Sequence, residues 1–173
     1  MNRGLQDKRI EDMMQRPIPR KKVGIVHLQM VKESRTLYGM GRFTEPGRAV
    51  RMIAPLVEKA DREMVMALSL NTKLEPLALE IVSVGGVNAC SVDYRDIFKH
   101  SILNNAAYIM CFHNHPSGDP EPSREDRMIT RRLEECGTLL GIPLIDHIIV
   151  GDESRFYSLR EHGEISLADK EVA

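Results

Sequence analysis

Apolar residues change their spacing several times along the chain, and each change marks an element. Val23 to Val31 (VGIVHLQMV) is rich in β-branched residues and predicts a strand, with a loop in the Gly-rich stretch YGMGRFTEPG that follows. From Pro46 to Ala60 the spacing turns helical, placing Ala49, Ile53, Val57 and Ala60 on one stripe. Pro55 removes one backbone hydrogen bond there and is expected to kink or shorten the helix. Met64 to Leu70 and Pro76 to Val84 run or alternate apolar on either side of the turn-forming NTKLE segment, which predicts a hairpin ended by Gly85 and Gly86.

Helices and strands alternate in the second half. Ser91 or Asp93 can cap a helix reaching about Asn105, with Ile97, Phe98 and Ile102 turned to the core. AAYIMCFH, residues 106–113, reads as a buried strand. A helix from Ser123 to Cys136 carries Ile129, Leu133 and Cys136 as its apolar stripe and Gly137 as its stop. Ile142 to Val150 predicts another buried strand, GDESR a turn, and Phe156 to Leu159 a short last strand before EHGEISLADKEVA, which reads as a frayed tail. This order predicts an α/β (α+β) fold, a central mixed β-sheet flanked by helices. The expected division is an arm over 1–22 that is flexible or needs a partner, a single domain over 23–163 and a tail over 164–173.

Composition narrows the classes. With 173 residues, of which 42% are hydrophobic, the chain can build one core. A formal net charge of −1 gives no globally basic surface for nucleic acid, and the short basic run Arg20 to Lys22 reads as a solvated face. The three cysteines, Cys90, Cys111 and Cys136, are odd in number and form no C-x-x-C pair, which points to a reducing, cytoplasmic setting. The first residues lack a signal-peptide apolar region, and no apolar run has bilayer-crossing length, so no membrane association is expected.

The chemistry concentrates in His113-Asn114-His115-Pro116 and the loop to Asp126. Two histidines at i and i+2 share a face of a strand, about 6.6 Å apart along it, near enough for both imidazoles to meet one ion. Pro116, Gly118, Pro120 and Pro122 force an irregular loop, and Ser123 has helix N-cap chemistry. Asp126 then falls at the third helical position, where side chains lean back towards the amino terminus and the histidine pair. Two imidazoles and a carboxylate around zinc leave a fourth position for water, the arrangement of a catalytic site. Ser123 and Asp126 equally satisfy an S-x-x-D capping box, so their spacing also has a purely local reading. Cys111 shares the strand face but lies about 13 Å from His115 along an extended strand, which favours a small buried apolar role.

H-x-H-P, six residues, then S-x-x-D resembles the motif of the JAMM metalloenzyme family, that of the JAB and MPN domains. The text LNNAAYIMCFHNHPSGDPEPSREDRMITRRLEECGTLLGIPLIDHIIVG resembles its bacterial RadC branch, over roughly Pro46 to Gly163. The resemblance implies a cytidine-deaminase-like architecture, zinc ligands at His113, His115 and Asp126, and an oxyanion-binding serine at Ser123. It also implies a catalytic glutamate at Glu63; by pattern alone Glu63, like Glu58, Glu75 and Glu80, would read as solvated. His147 in DHIIVG matches the branch too. It is either a residue supporting the metal ligands or a strand histidine satisfied by its neighbours.

The implied activity is zinc-dependent hydrolysis of peptide, isopeptide or related amide bonds. A non-catalytic, metal-stabilised interaction module and a DNA-associated repair factor are the alternatives. The branch commonly carries an amino-terminal helix-hairpin-helix segment, and the residues before Val23 are too few for one and show no such motif, which weakens the DNA reading.

Overall fold

The computed structural model describes residues 42–43, 45–85, 93–152 and 155–166, together with Glu11. The chain divides into two compact units, 1–35 and 36–173. The strand expected at 23–31, the arm apart from Glu11, Gly86, Cys90 and Ser91 lie outside the described residues.

The second unit forms three helices and five strands among its described residues: α1 (Pro46–Val57), β1 (Met64–Leu70), β2 (Pro76–Val84), α2 (Tyr94–Leu103), β3 (Tyr108–Asn114), α3 (Arg124–Leu140), β4 (Leu144–Val150) and β5 (Phe156–Ser158). The strands make one mixed sheet in the order β2-β1-β3-β4-β5. Only β3 and β4 run parallel, because α3 carries the chain back across the sheet between them. This is the mixed sheet with flanking helices expected from the sequence.

Alternation along the strands sorts the side chains into two cores. Met66, Leu68 and Leu70 of β1 and Met110 and Phe112 of β3 meet Ala49, Val50, Ile53 and Val57 of α1 on one face. Val65 and Ala67 of β1 and Ile109 and Cys111 of β3 meet Ile97 and Phe98 of α2 and Leu133 of α3 on the other. Burying side chains of this size contributes about 1.5–3 kcal/mol each relative to exposure. Cys111 is 1% exposed within the second core, in keeping with its apolar reading.

Three expectations are corrected. Ile102 is 52% exposed, and Ser101 takes the inward place, since it falls between Ile97 and Phe98 around the helix axis. Gly137 does not stop α3, which continues to Leu140 and ends at Gly141 in the left-handed conformation, φ 70°. Gly137 instead serves packing, because a Cβ there would sit 2.7 Å from the Ile142 carbonyl oxygen. Residues 161–166 are docked rather than frayed: Ile165 is buried, and Glu164 accepts hydrogen bonds from Arg127 of α3 and from the Tyr157 hydroxyl.

The pairing of β3 with β4 is irregular. Ile109 pairs with Leu144 but Met110 pairs with Asp146, so Ile145 is an extra residue in β4. The bulge reverses the facing of everything after it. His147 consequently pairs with Cys111 and shares the face of β3 that carries His113.

Candidate metal centre

His113, His115 and Asp126 converge at the carboxyl end of β3. His113 is the penultimate residue of β3 and His115 the first beyond it, where its N–H still donates to Val150 at 2.9 Å before the chain turns. The two Nε2 atoms lie 3.0 Å apart. Asp126 Oδ1 is 3.1 Å from His113 Nε2, and Oδ2 is 3.6 Å from His115 Nε2. One ligand atom from each residue fits within 4.8 Å of the others, close enough to hold a metal ion.

Local rules bring Asp126 there. Ser123 caps α3: its Oγ accepts from the Asp126 N–H at 3.1 Å, while the Ser123 N–H donates to Asp126 Oδ2 at 2.7 Å. The capping box is formed, and its Asp126 carboxylate also belongs to the cluster that could hold a metal ion. The Ser123 Oγ accepts at the cap, so its hydroxyl proton remains to donate elsewhere. The returning loop is held by backbone approach. Gly118, at φ +85°, lies against Asp152, whose carboxylate would fall 1.9 Å from a Cβ at that position. Its carbonyl accepts from the Asp152 N–H at 3.0 Å.

Hydrogen bonding fixes which ring nitrogens carry protons. His115 Nδ1 lies 2.7 Å from the Asp119 carbonyl oxygen, which can only accept, so Nδ1 donates and Nε2 is left to face the cluster. His113 Nδ1 lies 2.9 Å from Nε2 of His147, which is 2% exposed. Burial, aided by the neighbouring His113, pushes the His147 pKa down to about 3, so its ring carries one proton at neutral pH. Bare Nε2 lone pairs at such separation, beside a carboxylate, repel unless a cation sits among them. This donor set fits a metal ion.

Hydrogen bonding to the accepting Asp126 carboxylate raises the His115 pKa against the opposing effect of burial, and the Asp119 carbonyl and the Glu63 charge add to the rise. Burial alone would raise Asp126, but its interactions with the His113 and His115 rings and with Ser123 outweigh it and hold the carboxyl well below the usual carboxylate range.

Glu63 precedes β1, half-buried, and its charge acts on His115. The strand it opens pairs Val65 with His113, so register sets it at the same end of the sheet as the His-His-Asp cluster. Asn114, between the two histidines, clamps the backbone on both sides of Glu63. Its Oδ1 accepts from the Met64 N–H at 2.8 Å, and its Nδ2 donates to the Arg62 carbonyl at 3.1 Å. The Glu63 carbonyl accepts from Gly85 at 2.8 Å. Glu75 bonds the Asn71 amide within the hairpin turn, and Glu80 pairs with His100 away from the cluster. Sequence reasoning missed Asn114 and Thr130. The i, i+4 spacing of Asp126 and Thr130, which puts both on one face of α3, was the available signal for the second.

A family profile described as "RadC-like JAB domain" matches residues 43–164. A UPF0758 protein of Listeria monocytogenes is 45% identical over 118 residues, 68% of this chain and 52% of the relative. One from Geobacillus thermodenitrificans is 48% identical over 104 residues, covering 60% of this chain and 46% of the relative. An archaeal UPF0758 protein, from Methanosarcina mazei, is 42% identical over 122 residues, 70% and 53% respectively. The chain thus spans about half the length of the curated relatives it matches. JAB domains bind metal and are often hydrolytic, and the His-His-Asp cluster here suits that description. Among the described residues no helix is long and apolar enough to cross a membrane. The match over residues 43–164 establishes that this chain belongs to the RadC-like JAB domain family.

Proposed function

We propose that this chain is a zinc-dependent hydrolase of peptide, isopeptide or related amide bonds. The observation that carries the reading is the convergence of His113, His115 and Asp126, with both Nε2 atoms turned inward. Zinc fits because its usual ligands are imidazole nitrogens and carboxylate oxygens, and bound there it would supply Lewis acidity to a water and to the scissile carbonyl.

The chain's own residues do the rest. Glu63, placed by the Asn114 clamp, takes the proton from the attacking water as its oxygen joins the carbonyl carbon. The Ser123 hydroxyl donates to the oxyanion that develops there, held in position by the cap it makes with Asp126. Glu63 then returns the proton to the leaving amine as the carbon–nitrogen bond breaks.

Glu63→Gln tests this directly against a library of peptide and isopeptide substrates. Zinc affinity should be kept, while amine release falls by about 10²–10⁴-fold, the usual contribution of a general base. Unchanged release by the variant removes Glu63 from the reaction. Wild-type protein whose folding needs zinc but which releases no amine would favour the interaction-module reading.

A further inference from the structure

We propose that Thr130 and His147 are positioning residues that fix the protonation pattern of His113 and present its Nε2 to the metal. The inference deepens the hydrolase reading, and for its relevance to catalysis it rests on that reading.

The polarity originates at an atom that can only accept. Thr130 Oγ1 lies 2.7 Å from the Asp126 carbonyl oxygen, one turn back on α3, so the hydroxyl spends its single proton there. The same Oγ1 lies 2.6 Å from His147 Nδ1. With its proton committed, the hydroxyl can only accept, and Nδ1 of His147 must donate. His147 Nε2 is then the acceptor on that ring, and it faces His113 Nδ1 at 2.9 Å. His113 Nδ1 therefore donates, and its Nε2 carries the lone pair beside Asp126. The opposite polarity would leave Thr130 Oγ1 against the Asp126 carbonyl oxygen with no proton between them, inside a region where both Thr130 and His147 are at most 2% exposed.

Features of three elements close that path. The extra residue Ile145 turns His147 to the metal side of the sheet. Helical spacing sets Thr130 one turn after Asp126, so a single helix supplies both a ligand and the origin of the polarity. The path runs from α3 through β4 to β3, tying together the two elements that carry the ligands. Groups that orient ligating imidazoles in this way usually alter metal affinity by about 10–100-fold when removed.

The test reads ring protons and metal affinity separately. In ¹⁵N-labelled wild-type protein, long-range nitrogen–proton spectra should show Nδ1 protonated in both His113 and His147 and Nε2 bare in His147. Thr130→Val, which keeps the shape and removes the acceptor, should abolish that pattern and weaken zinc binding by about 10–100-fold. Thr130→Ser should restore both. Nε2 protonation of His147 in the wild type, or a Val variant with unchanged spectra and zinc affinity, overturns the proposal. If Thr130→Val does not fold, the wild-type spectra still decide. A wild type with the expected ring pattern that hydrolyses no amide leaves this inference standing and defeats the functional reading alone.

Discussion

Two buried histidines stand on the same face of the sheet and meet opposite fates. His147 of β4 belongs to the metal end, where Val65 pairs with His113. His100 of α2 touches Ser69, four residues further along β1, about 13 Å away at the usual rise. Its surroundings contain the elements of a nucleophilic triad: Ser69 Oγ is 3.1 Å from Nε2, and Glu80 Oε2 is 3.0 Å from Nδ1, although outside hydrogen-bond geometry. Ser69 and Ser101 are 0% exposed, however, and the Ser69 hydroxyl donates to Ser101 rather than to the ring. No substrate reaches that oxygen. The cluster ties β1, β2 and α2 together, and burial lowers the His100 pKa against the pull of Glu80. At the metal end the Nε2 atoms converge with Asp126 at a partly open position, with Asp126 13% exposed by its side chain and Ser123 at the surface. Residue types are nearly shared between the two clusters; the direction of lone pairs and their access to solvent separate chemistry from scaffolding.

The largest effect expected on this contrast comes from Asp126→Ala. Under the proposed function it removes a ligand and half of the capping box together, so zinc affinity should fall by more than about a hundredfold, beyond the range seen for supporting residues. Isothermal titration reads this, and near wild-type affinity would show that the carboxylate is only a cap. Next, His100→Ala should destabilise the fold by about 3 kcal/mol in urea denaturation, since it empties buried space and removes the ring partner of two buried hydroxyls, yet leave zinc affinity within about twofold. A loss of metal binding there would mean the two ends of the sheet are coupled. The smallest change should come from Asn114→Ala. Losing its two bonds to the backbone on either side of Glu63 should cost about 1–2 kcal/mol of stability and lower amide turnover by about tenfold without changing zinc affinity. Unaltered turnover would show that the clamp serves only the strand.

Much of the fold is legible in the chain, and the rest escapes for definite causes. The hairpin strands fall where periodicity places them, at Met64–Leu70 and Pro76–Val84, because one turn motif fixes both. The His-His-Asp cluster is legible because its three members lie within fourteen residues and obey strand alternation and capping in turn. His147 stays ambiguous in the sequence since the run from Ile142 to Val150 has no alternation to read, and a one-residue bulge then decides its facing. Gly137 misleads because a glycine near a helix end looks like a stop, when here it admits the Ile142 carbonyl and the stop is Gly141. The docking of residues 161–166 depends on Arg127, more than thirty positions earlier, a pairing that no local pattern carries.

The capping box has an evolutionary consequence. Asp126 serves the stability of α3 whether or not an ion is bound, and a cap of this kind is worth about 0.5–2 kcal/mol. Selection for folding alone therefore guards one of the three residues that could hold a metal ion. No such protection covers Glu63, whose carboxylate makes no hydrogen bond among the described residues; Asn114 holds the backbone around it and not its side chain. Under the proposed function, one substitution at Glu63 would end the reaction and leave the helix intact, whereas replacing Asp126 would also weaken the helix that carries it.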